Sequence, residues 1–247
     1  MTQNNEMQAG GVGQPGLERA MLKRACRLSV LTLLAASGAA LAQAPPTMTF
    51  FVSSVGNGPS GGDYGGLAGA DLRCQSLAAT AGAGHWNWRA YLSTAPITGF
   101  GGVLVHARDR VGTGPWYNLD EAEVASDVTD LHANGIDASL MLTEAGGTVP
   151  SNEHDILTGS NGDGTALETF PGNPTAPGPT CLNWTSSDSN AYGWVGHADW
   201  VPGQSWNSAH EVQCDQAGLA ATAGSGRLYC FAVSETPLFR DGFEAGS

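Results

Sequence analysis

Lysine is missing from every position after residue 42. Six arginines (Arg73, Arg89, Arg108, Arg110, Arg227 and Arg240) face 21 acidic residues there, a formal charge of −15. That balance repels nucleic acid, anionic lipid and sulfated polysaccharide at long range, so neither a nucleic-acid nor a heparin-like partner is expected. Neutral glycans, cations and basic proteins remain. A long hydrophobic run is also missing. The apolar, small-residue stretch Leu28–Leu41 falls short of the about 20 residues that a permanent membrane span needs, so no transmembrane anchor is expected. The chain has no C-x-x-C pair, P-loop, Rossmann fingerprint or H-E-x-x-H. Gly58-Pro59-Ser60-Gly61-Gly62 matches G-x-S-x-G only in letters, since no helix follows directly, as a nucleophile elbow requires. Charged residues make up only 13% of the chain and Gly numbers 35, which leaves little for long helices. Seven Trp and seven Phe nevertheless supply a core, so the composition is not that of a disordered chain.

The N-terminus carries an export signal in its expected order. Lys23, Arg24 and Arg27 precede the apolar run, and Ala40-Leu41-Ala42 supplies a small-x-small cleavage box before Gln43. Residues 1–42 are therefore expected to be a signal peptide, with translation starting at Met1 or at Met21. A linker covers 43–46, one domain 47–234 and a tail 235–247. The order of events implies secretion or a periplasmic location. Cys26 leaves with the signal, and Cys74, Cys181, Cys214 and Cys230 stay. In an oxidising compartment four cysteines form two disulfides, with three pairings open. Spacings of 107, 33 and 16 do not resemble zinc knuckles.

Along the domain, Met48–Val52 reads as a strand, followed by a Gly-rich loop from Gly56 to Gly66. Ala70, Cys74, Leu77, Ala78 and Ala81 recur at helical spacing, up to Gly82. Trp88–Ser93 alternates like a strand. Val124, Val128 and Leu131 give a second helix closed by Asn134-Gly135. Ile156-Leu157 and Leu228–Val233 are further strands, and first and last strands lying side by side would bring an early cysteine to a late one. The Pro/Gly-rich stretch Thr169–Thr180 is expected to be a surface loop, and Asn161-Gly162-Asp163-Gly164-Thr165 a plain turn. This order predicts an α+β domain with short mixed and antiparallel strands, two helices and long loops.

One cluster carries chemistry. Asn152, Glu153, His154 and Asp155 are followed by His197, Asp199, Trp206, Asn207 and His210. Imidazole and carboxylate are ordinary zinc ligands, so His154, Asp155, His197, Asp199 and His210 are candidate metal ligands, for Zn²⁺ or Ca²⁺. Trp206 beside Asn207 would stack on a sugar ring while the amide bonds its hydroxyls. The competing expectation is that these polar groups satisfy loop backbone.

Several of these segments, in this order, resemble the endostatin domain of collagens. Ala70-Asp71-Leu72-Arg73-Cys74-Gln75 and Trp88-Arg89-Ala90-Tyr91-Leu92-Ser93 look like its start. Asp109-Arg110, Asn118-Leu119, Leu157-Thr158-Gly159-Ser160 and Gly162-Asp163-Gly164 continue the likeness, and Cys181-x-x-Trp184, Cys214 and Tyr229-Cys230 end it. Secreted bacterial proteins share the frame, including His154–Ser160, Val195-Gly196-His197 and Ser205-Trp206-Asn207-Ser208-x-His210. The resemblance spans about residues 47–234 and implies a variant of the C-type lectin fold with nested disulfides, Cys74 to Cys230 and Cys181 to Cys214. Endostatin's arginine clusters and N-terminal histidines have no counterpart here. Ser208 stands where the lectins' Trp-Asn-Asp has its carboxylate, which removes the usual calcium route to sugar. The tail Leu238–Glu244 resembles a C-terminal signature of secreted Gram-negative proteins.

The expected function is a secreted or surface-exposed, non-enzymatic, lectin-like module. It would bind a neutral glycan or an extracellular protein through Asn152, Glu153, His154, Asp155, His197, Trp206, Asn207 and His210. A metal-dependent hydrolase using the His/Asp loops, or a purely structural envelope component, are the alternatives.

Overall fold

Gly224–Glu235, a strand of 12 residues called β10 here, organises the main sheet. The computed structural model describes residues 47–199 and 205–235, all within one compact unit, Gln43–Ser247. The signal segment 1–42, the linker 43–46 and the tail beyond Glu235 lie outside the described residues. Strand β1 (Phe50–Val52) runs antiparallel to β10, with Phe51 opposite Cys230. Strand β2 (Trp86–Ala90) is antiparallel to β10 as well, with Ala90 opposite Cys230, so Cys230 has a neighbour on each edge. Strand β5 (Asp155–Leu157) runs parallel to β10, β8 (Tyr192–His197) antiparallel to β5, and β9 (His210–Gln213) antiparallel to β8. The order is β1-β10-β5-β8-β9, with β2 also on β10. Two short ribbons stand apart, β3 (Trp116–Tyr117) with β4 (Glu123–Ala125), and β6 (Thr169–Phe170) with β7 (Asn173–Pro177).

Both faces of this sheet are covered, which explains strands that are apolar at every position. Side chains alternate along a strand, so neighbours go to opposite layers. Phe51, Leu157, Leu228 and Cys230 pack with Ala70, Cys74 and Ala78 of helix α1 (Gly66–Thr80). Phe50, Ile156, Tyr229 and Phe231 pack on the other side with Trp116, Leu131, Met141 and Trp206. The disulfide Cys74–Cys230 joins α1 to the central strand, and Cys181–Cys214 makes the second bridge. The nested pairing is thus present.

The α1 helix carries one buried charge. Asp71 accepts two bonds from Arg110 Nη2 at 2.9 and 2.7 Å, one from Arg89 Nη1 at 2.7 Å and one from the Ala90 amide at 3.0 Å. The conspicuous Asp71, Arg89 and Arg110 therefore tie α1 to the strand and loop beside it.

Three local expectations are corrected. Helix α2 is Val128–Asn134, not a run from Val124, because Asp127 caps it by accepting from the amides of Thr129 and Asp130. Val124 sits in β4 instead. The Pro/Gly-rich stretch is a hairpin, β6–β7, although an exposed one. Among the described residues there are four α-helical segments rather than two, since α3 (Cys181–Trp184) and α4 (Gln216–Ala221) were not anticipated. α3 is left-handed throughout, with φ of 48°, 53°, 58° and 65° at four non-glycine residues. Each such residue costs roughly 1–2 kcal/mol, and the surroundings hold it in place. Thr180 Oγ1 accepts from the Asn183 amide, and the Asn183 side chain bonds both the amide and the carbonyl of Ala95. Trp184 Nε1 donates to Ser93 O. That is the structural meaning of Cys181-x-x-Trp184.

Candidate functional site

Strand register assembles the site. In antiparallel β5–β8, Asp155 lies directly opposite His197, and in β8–β9, Val195 lies opposite His210. Residues opposite one another, and those two apart on one strand, share a face. Asp155, His197 and His210 therefore project from the face that also carries Leu157 and Val195, one step beyond the apolar core. His154 immediately precedes β5, and its carbonyl accepts from the Ala198 amide at 2.8 Å, which brings Asp199 alongside. Gly224 pairs with Asp155, where an added Cβ would stand 3.2 Å from the Asp155 Cβ.

Asp155 is completely buried, and its two oxygens receive no conventional hydrogen bond. Three imidazoles surround it instead. His154 Nε2 and His197 Nε2 lie 3.3 Å from Oδ1, and His210 Nε2 lies 3.5 Å from Oδ2. The rings of His154 and His210 stand edge-on to that of His197, with centroids 5.0 and 5.1 Å apart. Asp199 Oδ2 is 3.5 Å from His154 Nδ1. Solvent reaches the cluster from one side, where the side chains of His154, His210 and Asp199 are 22%, 35% and 46% exposed.

Backbone carbonyls fix the orientation of two rings. His154 Nδ1 is 2.7 Å from Ser151 O, and His210 Nδ1 is 2.9 Å from Glu211 O. A carbonyl only accepts, so each Nδ1 carries the proton and the lone pair of the neutral ring sits on Nε2, toward Asp155. A buried carboxylate is costly without a compensating positive charge. The arrangement accepts either a proton on an imidazole or a metal ion between these donors. The Asp155 carboxylate raises the His210 imidazole above its ordinary value, with burial working against it.

The remaining sequence candidates have other duties. Glu153 Oε2 accepts from Arg227 Nε at 2.8 Å, from Arg227 Nη2 and from Ser225 Oγ at 3.0 Å. It anchors β10 rather than a ligand. Asn152 is exposed on the turn before His154, apart from the imidazole group. Trp206, only 4% exposed, packs against Tyr91 and Tyr229 at 4.9 and 5.3 Å, so it offers no free face to a sugar ring. Asn207 is fully buried. The sugar-stacking role expected of Trp206 and Asn207 therefore does not hold.

Asn207 instead heads a polar chain through the core. Its Nδ2 donates to Tyr91 Oη at 2.8 Å, and Tyr91 Oη lies 2.8 Å from His132 Nε2. His132 Nδ1 donates to Val128 O at 2.7 Å, so Nε2 accepts the Tyr91 proton. Burial, then the charge of Arg108, holds His132 below its ordinary value, while the Val128 carbonyl acts the other way. Below pH about 6.5 the unfolded chain takes up a proton that folded His132 does not, so stability is lost as pH falls through that range. Urea midpoints from pH 7.5 to 5 should therefore fall more steeply in wild type than in His132→Gln. Equal slopes would show that His132 has no such role.

The carbonyls of Ser151 and Glu211, which orient the His154 and His210 rings, leave no mark in the sequence. Calcium fits this centre poorly, because it takes six to eight oxygen ligands and three imidazoles stand here. Zinc matches the donor set. Compared with known proteins, the chain matches no family model and no curated protein sequence. What the fold and site define is a disulfide-linked α+β domain with a histidine-lined carboxylate at one end of its interior strands β5 and β8.

Proposed function

We propose that the chain is an exported, non-enzymatic binding module built on the endostatin-like variant of the C-type lectin fold. Its recognition surface is the exposed rim of the His154, His197 and His210 cluster. The observation that carries this reading is the convergence of three imidazoles, from three separate segments, on one fully buried carboxylate, with the His154 and His210 rings reaching solvent on one side. The nested disulfides and the pairing of the first and last strands support the fold reading. Two disulfides, and no membrane-crossing helix among the described residues, support export.

Charge narrows the ligand. All five described arginines donate hydrogen bonds within the chain, to Gly56 O, Asp71, Asp163 O and Glu153. Among the described residues no arginine cluster is left to hold a polyanion, which favours a neutral glycan or an extracellular protein as the ligand. Immobilised mature protein, residues 43–247, should capture such a ligand from arrays of neutral glycans and extracellular proteins, run with and without Zn²⁺ and Ca²⁺. Replacing His154 and His210 together by alanine should abolish capture. A wild-type protein that binds nothing in any arm would refute the reading.

A further inference from the structure

We infer that Asp155, His197 and His210 form a zinc site, with His154 against the same carboxylate on its solvent side. The site lies within the recognition surface proposed above but rests on its own geometry. In a tetrahedron whose metal–ligand bonds are 2.0–2.2 Å, ligand atoms stand about 3.3–3.6 Å apart. The contacts from Asp155 to the three Nε2 atoms are 3.3, 3.3 and 3.5 Å. They are too long for good N–H···O bonds, and the two to Oδ1, from His154 and His197, have the length of an edge of a zinc polyhedron. The donor atoms of Asp155, His197 and His210 also lie within 4.8 Å of one another.

Three further features point the same way. Asp155 is a charged group with no exposed surface, and neither oxygen receives a conventional hydrogen bond. A dication among its neighbours supplies the positive charge that such burial demands. The His210 ring is held by Nδ1–H bonded to Glu211 O, the second-layer arrangement that fixes a zinc-ligating imidazole with Nε2 forward, and Ser151 O holds the neighbouring His154 ring likewise. Asp199, beside His154 Nδ1, adds a carboxylate to that layer. Adjacent strands and their pairing hold Asp155, His197 and His210 in place before any ion arrives, while the exposed edges of His154 and His210 give it a way in.

The test uses the full mature protein, stripped with chelator, and Zn²⁺ alone as the probe. Calorimetric titration at neutral pH should show one Zn²⁺ per chain with a Kd of about 1 µM or tighter. His210→Ala should weaken binding at least about 100-fold, and His85→Ala, outside the cluster, should leave it unchanged. Because a variant could lose its fold, wild-type protein is also loaded with Co²⁺, which should give the intense visible absorption of a tetrahedral site. No stoichiometric Zn²⁺ binding, or binding unaltered by both His210→Ala and Asp155→Asn, would overturn the assignment. Zinc bound with no glycan or protein captured would sink the recognition reading and leave the zinc site standing. Capture without zinc would do the reverse.

Discussion

Replacing Cys74 and Cys230 together by alanine is expected to cost about 5 kcal/mol of stability, more than loss of the other disulfide. The two residues are 156 apart in sequence, and a cross-link that closes so long a loop removes more freedom from the unfolded chain than one of 33 residues, the span of Cys181–Cys214. The chain-entropy relation gives about 5 kcal/mol for the long loop and about 4 kcal/mol for the short one. Burial does not separate the two bridges, because all four cysteines are fully buried in the same core cluster and truncating either pair also leaves a void, so the loop term sets the order. Since domains of this size are commonly stable by only about 5–15 kcal/mol, the double variant should sit near its unfolding threshold at 25 °C. Urea unfolding of the two alanine pairs, each with its other bridge intact, checks the order. If losing the Cys181–Cys214 pair is worse, the hold of that bridge on the left-handed turn would outweigh the loop term.

Asp71→Ala should be nearly as damaging, at about 3–5 kcal/mol. The reason lies in what remains. Arg110 is largely buried, and burial alone pushes its guanidinium below its ordinary value, opposed mainly by the charge of Asp71. Taking away the carboxylate leaves that cation desolvated, and it removes the acceptor for the buried Ala90 amide. Arg89 has half of its side chain in water and matters far less, so Arg89→Ala should cost under about 1 kcal/mol. Asp71→Leu combined with Arg110→Leu should recover most of the loss, because an apolar pair carries no stranded charge. Denaturant melts of these four proteins decide the matter. A single Asp71→Ala variant as stable as wild type would show that water, not Asp71, solvates Arg110.

Much of the sheet was legible because its signals are local and redundant. Leu228–Val233 is apolar, aromatic and β-branched in turn, and it lies inside β10. Ala70, Cys74 and Ala78 repeat at four, and they form the buried stripe of α1. The disulfide pairing was implied by resemblance, not by the residues themselves. Legibility fails where tertiary contacts override local preference. Nothing in Cys181-Leu182-Asn183-Trp184 announces four left-handed residues, because distant Ser93 and Ala95 hold them there. Trp206 and Asn207 carry the residue types of a sugar platform, yet Tyr91 and Tyr229, far off in sequence, take them into the core. For the histidines, chemistry could be read from composition, but convergence required the register of β5, β8 and β9.

The placement of β10 also sets the order in which the molecule can be made. A chain leaves the ribosome, or a membrane channel, from its N-terminus. Among the described residues, strands β1 and β2 have no main-sheet neighbour except β10, and β5 lies between β10 and β8. Until residue 224 has emerged, the first half of the sheet has nothing to close on, and Cys74 waits for a partner 156 residues downstream. A nascent chain halted anywhere earlier is therefore not a smaller version of the domain. Its sheet stays unclosed until nearly its last described strand arrives.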